Sequence, residues 1–306
     1  MSFTSETKQT LCALTGTKAC CKSAELYGLL AFGNVFEKTR IKYITENRSL
    51  AELIVRLLDE EFSVHPNLYR TEKKSKSEYS EEGQYYSYKI TVANGSDTKK
   101  IYTRFLKENE VSLRIPNDIF LCPHCMEAFL RGTFLSGGMV SDPSDAYHLE
   151  ITTTHFILSE ELLKLLLSCD IEAKMIKRNS SYVVYLKKSE AIEHFLVLIG
   201  AKKAVFRLMD EKILGDIRNN ANRISNCEIA NMDKSISASQ IQLAAIQKLL
   251  DSGKMQLLPE ALQTTAKLRM ENPSATVKEL GEIHSPAVSK SGVVHRLNKL
   301  IHLADS

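Results

Sequence analysis

The sequence predicts an α+β domain made from one unit used twice, followed by an all-α region that ends in a helix-turn-helix. Three observations carry this. Leu26-Tyr-Gly28-Leu29-Leu30 reappears as Leu130-Arg-Gly132-Thr133-Phe134, 104 residues further on. After each copy the apolar period changes from helical to alternating, over Asn34 to Tyr43 and over Met139 to Thr152. Near the C-terminus, two short helical patterns flank the turn His284-Ser-Pro286-Ala-Val288.

The bulk properties agree with two domains. A chain of 306 residues with 43% apolar content can bury a core in each. A net charge of +3 excludes a strongly basic nucleic-acid footprint, so any basic surface must be local. The start, Met1 to Thr10, is polar and no segment is apolar enough to span a bilayer, so a cytoplasmic protein with no membrane partner is expected. Seven cysteines, an odd number, argue for reduced thiols rather than a disulfide framework, and adjacent Cys20 and Cys21 are poorly placed to bridge each other.

Each unit begins with the long apolar helix of the repeat, then a pair of strands. A second helix follows. In the first unit Ser49 and Glu52 form a potential capping box ahead of the stripe Leu50, Leu53, Ile54, Leu57 and Leu58. In the second, the helix is expected from Ser159, with Glu160 and Glu161 favoured by the dipole of the first turn. Further strands are predicted at Tyr85 to Val92 and around Arg178-Asn-Ser-Ser181, where Val183 to Leu186 is β-branched and aromatic. Short helices at Thr98 to Lys107 and Glu190 to Leu198 close the units, and short connections predict antiparallel strands. Lys73 to Lys76 and Glu78 to Glu82 read as a solvated loop.

The boundaries that follow are 1–200 for the doubled domain, with repeats at about 1–108 and 109–200, then a helical connector at 201–253 and a helix-turn-helix domain at 254–306. In the connector, Asn219, Asn220, Asn222, Asn226 and Asn231 gather opposite Ile213, Ile217, Ala221 and Ile224. Asparagine is a mediocre helix former, so the stripe Arg218, Asn222, Arg223 and Asn226 reads either as packing and interdomain hydrogen bonding or as extra contact with nucleic acid. In the last region Asn272-Pro273 stops the helix from Glu260 to Met270, Thr276 and Glu279 form a capping box, and Ser289 caps the final helix.

The final helix buries Val293, Leu297, Leu300 and Ile301 and leaves Lys290, Ser291, His295, Arg296 and Lys299 outward, beside the cap Ser289. Lys and Arg bind phosphate or guanine edges and Ser bonds either, so this face suits double-stranded DNA; the bland alternative is a solvated basic surface. Small Gly281 lets the two helices approach. Cys122-Pro-His124-Cys125 has metal-ligand spacing but lacks a second C-x-x-C pair, so capping or buried thiols are expected, with no metal or other cofactor. Redox exchange lacks a thioredoxin-like context.

The paired helices around Gly28 and Gly132 resemble the core helices of LAGLIDADG homing endonucleases. More specifically, Asn222-Arg223-x-x-Asn226-Cys227-Glu228-x-Ala230-Asn231-x-x-Lys234, the terminal Ser289-Lys290-Ser291-Gly292-Val293 helix, Tyr147-His148-Leu149-Glu150 and Met1-Ser-Phe3 resemble the WhiA family of bacterial transcription and cell-division regulators. The resemblance implies a duplicated LAGLIDADG-like domain followed by an all-α helix-turn-helix domain, promoter DNA as partner, association with the nucleoid and with other transcription or division proteins, and roles in sporulation, cell division or chromosome segregation.

Endonucleases of the first kind place an acidic residue at the end of each core helix, because cleavage there needs carboxylates to hold the metal ions that activate water. Gly33 and Gly137 stand at those ends, read here as left-handed helix caps. Asp142 and Asp145 lie downstream in a loop, with nothing in the sequence to bring them to the helix feet. No catalytic residue is therefore assigned, and the doubled domain is expected not to cut. The rival readings are a metal-dependent endonuclease and a division or nucleoid scaffold.

Overall fold

The computed structural model describes residues 2–14, 18–73, 85–107 and 112–305. After α1 (Phe3–Cys12), the first repeat runs α2 (Ala19–Ala31), β1 (Val35–Glu37), β2 (Arg40–Thr45), α3 (Arg48–Phe62), β3 (Asn67–Lys73), β4 (Tyr85–Val92) and α4 (Gly95–Phe105). The second runs α5 (Pro123–Gly137), β5 (Gly138–Val140), β6 (Leu149–Thr153), α6 (Phe156–Ser168), β7 (Lys174–Arg178), β8 (Ser181–Leu186) and α7 (Ser189–Leu198). Then come α8 (Lys202–Asp251), α9 (Glu260–Glu271), α10 (Val277–Ile283) and α11 (Lys290–Asp305). The helix, two strands, helix, two strands, helix order expected for each unit is the one observed, with α1 as an addition. The junction between repeats at 108–109 and the charged loop at 74–82 lie outside the described residues.

Each repeat folds its strands into one antiparallel sheet, β1-β2-β4-β3 and β5-β6-β8-β7, so the second strand of each hairpin pairs at the centre. The turn between β7 and β8 is the one the sequence marks, and Asn179 supplies its positive φ of 54°. α2 and α5 pair as the spine. Leu26, Tyr27, Leu29, Phe129, Leu130 and Phe134 are fully buried, because these helices are apolar around most of their circumference. A Cβ on Gly28 would lie 2.4 Å from the Phe129 carbonyl oxygen, and one on Gly132 would lie 2.1 Å from that of Glu25. Only glycine permits so close a crossing.

Local expectations failed where a nearer partner competed. Asn47, not Ser49, caps α3, accepting a bond from the Leu50 N–H at 3.1 Å, and Glu52 pairs with Arg48 at 2.7 Å instead of closing a box. α6 starts at Phe156, ahead of Ser159, whose hydroxyl donates back to the Phe156 carbonyl at 2.6 Å. Glu161 then reaches away from its helix to accept a bond from the Ile115 N–H at 2.6 Å. Gly33 and Gly137 are not left-handed, since the positive-φ glycines among the described residues are Gly200 and Gly253. Crowding explains them: a Cβ at Gly33 would meet the Tyr43 ring at 2.8 Å, and one at Gly137 the Thr152 carbonyl oxygen at 2.6 Å.

The chain divides into two compact units, Met1–Leu214 and Gly215–Ser306, the division falling inside α8. The second unit has its own core, in which Leu262, Ala266, Leu280, Val293, Leu297 and Leu300 close on Ala245, Ile246 and Leu249 from the end of α8. The last turns of the expected connector thus belong to the helix-turn-helix bundle rather than preceding it. Further towards its N-terminus, the Asn-bearing stretch of α8 is exposed on its apolar side too, with Ile217 60% and Ile224 62% accessible.

Candidate nucleic-acid interface

The C-terminal bundle is fixed by local chemistry. Thr276 and Glu279 form the reciprocal capping box that starts α10. Seven residues later the chain leaves the helix and folds back, the Val288 N–H donating to the Gly281 carbonyl at 2.9 Å. Gly281 has no room for a side chain, since its Cβ would lie 2.3 Å from the Val288 carbonyl oxygen. Ser289 then caps α11 by accepting from the Gly292 N–H at 3.2 Å.

α11 sorts its residues by face. Val293, Leu297, Leu300 and Ala304 are buried, whereas Ser289, Lys290, Ser291, His295 and Lys299 are exposed together with Val294 and Asn298. Ser289 and Ser291 hydroxyls lie 3.1 Å apart, so the cap and the first outward hydroxyl are held together. Lys290, His295 and Lys299 have no ion pair among the described residues. The result is a row of free donors along the first three turns of one helix, which fits the acceptors of phosphate and base edges.

Arg296 is placed differently. It is only partly exposed, and its guanidinium turns toward α9, with Nη1 3.5 Å from Thr265 Oγ1. The same hydroxyl faces buried His284, whose Nε2 is 3.3 Å away, so α9, the turn and α11 meet at one polar point. Burial, then the Arg296 charge, holds the His284 imidazole below its ordinary value and therefore neutral. Sequence reasoning missed this point and also Arg269, 2% exposed, which donates to the Ala275 carbonyl at 2.7 Å and pins the loop after α9. A signal was present: Leu262, Thr265, Ala266 and Arg269 share the helical spacing of the buried stripe.

The second set, Arg218, Asn222, Arg223 and Asn226, lies exposed on α8 without side-chain hydrogen bonds to other described residues.

At the ends of α2 and α5 a neutral chain fills the ground between the helices. The Tyr43 hydroxyl donates to Ser136 Oγ at 2.9 Å, and Ser136 donates to the Leu29 carbonyl at 3.0 Å. Asp142 is engaged elsewhere. The N–H and hydroxyl of Ser144, then the Arg207 guanidinium at 2.5 Å, hold its carboxyl below the usual range. Among the described residues, the side chains placed to share one metal ion are instead Cys20, Cys21, Cys122 and Cys125.

Comparison with known proteins agrees with both halves of the chain. Residues 126–218 match the family described as the WhiA LAGLIDADG-like domain, and residues 221–304 match the WhiA C-terminal HTH domain. A probable cell division protein WhiA from Alkaliphilus metalliredigens is 37% identical over 319 residues, covering 100% of this chain and 98% of the relative. One of the same description from Ruminiclostridium cellulolyticum is 38% identical, covering 100% and 97%. The crystal structure of full-length DUF199/WhiA from Thermotoga maritima shares the fold, with a TM-score of 0.51, 21% identity and coverage of 100% and 98%. With a doubled LAGLIDADG-like domain, a helix-turn-helix and relatives matched end to end, the chain belongs to the WhiA family.

Proposed function

We propose that this protein is a transcription regulator that reads promoter DNA with α11 and controls genes of cell division, chromosome segregation or sporulation. One observation carries the reading. Lys290, Ser291, His295 and Lys299 form an exposed donor row on the first three turns of a capped helix whose opposite face is locked in a core. Such a helix is held rigidly enough to present side chains to a groove.

The doubled domain serves in this reading as a non-cutting platform for a protein partner or for added phosphate contacts. Support comes from the helix feet, where glycines, a tyrosine and a serine occupy the ground that a cleavage site needs for carboxylates, and from Asp142, already paired with Arg207. Arg218, Asn222, Arg223 and Asn226 are proposed as additional polar contacts with DNA. Association with the nucleoid follows from promoter binding.

Genome-wide DNA association of the full chain, compared with a Lys290→Ala/Lys299→Ala variant, tests the reading. Site-specific occupancy that collapses in the variant is expected; equal occupancy would overturn the assignment to α11. Point changes are preferable to removing everything after Pro259, because that cut strips Ala245, Ile246 and Leu249 of their core partners. Magnesium-dependent cleavage of plasmid DNA by the purified chain, lost on Asp142→Asn, would replace the regulator with an endonuclease. Absence of any sequence-specific binding would favour a division scaffold.

A further inference from the structure

The fold supplies the second cysteine pair that the sequence lacks. Cys20 and Cys21 sit in the first turn of α2, Cys122 and Cys125 at the start of α5, and the crossing of the two helices brings these ends together although 102 residues separate Cys20 from Cys122. Cys20 Sγ is 3.7 Å and Cys21 Sγ 3.5 Å from Cys122 Sγ, which is 3.4 Å from Cys125 Sγ. All four sulfurs lie within 4.8 Å of one another, and all are free thiols. A tetrahedral ion with metal–sulfur bonds of about 2.3 Å holds its sulfurs about 3.8 Å apart, close to the 3.4, 3.5 and 3.7 Å of the three contacts at Cys122.

We propose that Cys20, Cys21, Cys122 and Cys125 form a closed four-thiolate site for a zinc ion that clamps the N-terminal ends of α2 and α5, and so the two repeats, to each other. The arrangement points to a metal, and the ligand chemistry to zinc. All four residues also border the apolar core, but their sulfurs converge to within 4.8 Å of one another, as the ligands of a single ion do. Thiolates select zinc over magnesium or calcium, which take oxygen ligands. Sulfurs this close surround one ion, while a multi-iron cluster spreads its cysteines around a larger body. Four protein ligands with two of them buried, Cys21 at 6% and Cys125 at 0%, leave no position for substrate, as in a structural zinc site.

The surroundings suit the charge. Loading exchanges four thiol protons for one Zn²⁺, leaving a doubly negative centre at the positive ends of two helix dipoles. Neither α2 nor α5 has a Ser, Thr, Asn or Asp side chain capping its first turn, so N–H groups there remain for the sulfurs. The expected absence of a metal rested on the lack of a second C-x-x-C pair and on the motif's place at a helix start, and neither can register a pair formed by adjacent residues on a distant helix.

The test uses the full chain purified under reducing conditions with zinc available. Elemental analysis is expected to find one zinc ion per chain, unchanged in Cys227→Ser, whose thiol lies outside the cluster, and lost in Cys125→Ser. Because Cys125 is buried and its variant could misfold, the native chain is also loaded with Co²⁺ in place of zinc. Intense visible bands of tetrahedral cobalt with near-ultraviolet thiolate charge transfer are expected. Metal-free protein with reduced thiols that takes up neither ion would overturn the proposal. So would a Cys122–Cys125 disulfide in the native chain whose reduced form binds no metal, which would make the group a redox pair.

Discussion

Arg131 on α5 donates two parallel hydrogen bonds to Glu25 on α2, Nε to Oε1 and Nη2 to Oε2, both at 2.9 Å and both away from water. The pair crosses the seam between the repeats, Arg131 next to Gly132 and Glu25 one turn before Gly28. Breaking it on one side leaves an unpaired buried charge, so Arg131→Ala is expected to cost about 3–5 kcal/mol in equilibrium unfolding of the full chain. Glu25→Leu with Arg131→Met is expected to recover much of that loss. A single variant as stable as the native chain would show the pair to be dispensable.

The glycines at the crossing give a second test. Gly28→Ala or Gly132→Ala places a methyl against backbone carbonyls that cannot swing aside, for an expected loss of about 1–3 kcal/mol or more. Gly215, in α8 with open space around it, is the control. Gly215→Ala should stabilise by about 0.5–1 kcal/mol, since helix interiors favour alanine.

For DNA binding, the free donors and the inward arginine should separate. Lys290→Ala or Lys299→Ala is expected to weaken specific binding by about 1–3 kcal/mol where the lysine reads a base, or to lower the salt slope by about one where it meets phosphate. Arg296→Ala removes the contact with Thr265 and should first lower the melting temperature of the C-terminal unit. Titration of promoter fragments at several salt concentrations, alongside thermal melts, reads both.

His284 predicts a pH dependence. Its folded value lies below the ordinary 6.5, so the unfolded chain takes up the proton first. Stability of the C-terminal unit is therefore full above pH 6.5 and falls as the pH drops below it, until the folded imidazole also titrates. His284→Gln, which cannot gain the charge, should flatten that decline; an identical decline in the variant would assign the effect to other groups of the same unit.

Much of this architecture could be read from the chain because its signals are local. The Thr276–Glu279 box and the Ser289 cap each involve residues a few positions apart, the repeat copies a five-residue motif at Gly28 and Gly132, and each is present in the fold. The misses involve choice among neighbours or distance. Asn47 outcompeted Ser49 by two positions, a difference that composition does not resolve. The outward face of α11 was legible except at Arg296, whose orientation depends on Thr265 from another helix. The cysteine group joins residues that only the doubled fold makes neighbours.

The crowding at Gly33 and Gly137 bears on reversibility. Any acid installed at either position would have to begin with a Cβ where the Tyr43 ring or the Thr152 carbonyl already stands. Point mutation alone would not seat a carboxylate at these ends, because the Tyr43 ring or the Thr152 backbone would have to shift with it. Both helix ends are thus closed to new side chains by occupied space, quite apart from the carboxylates they lack.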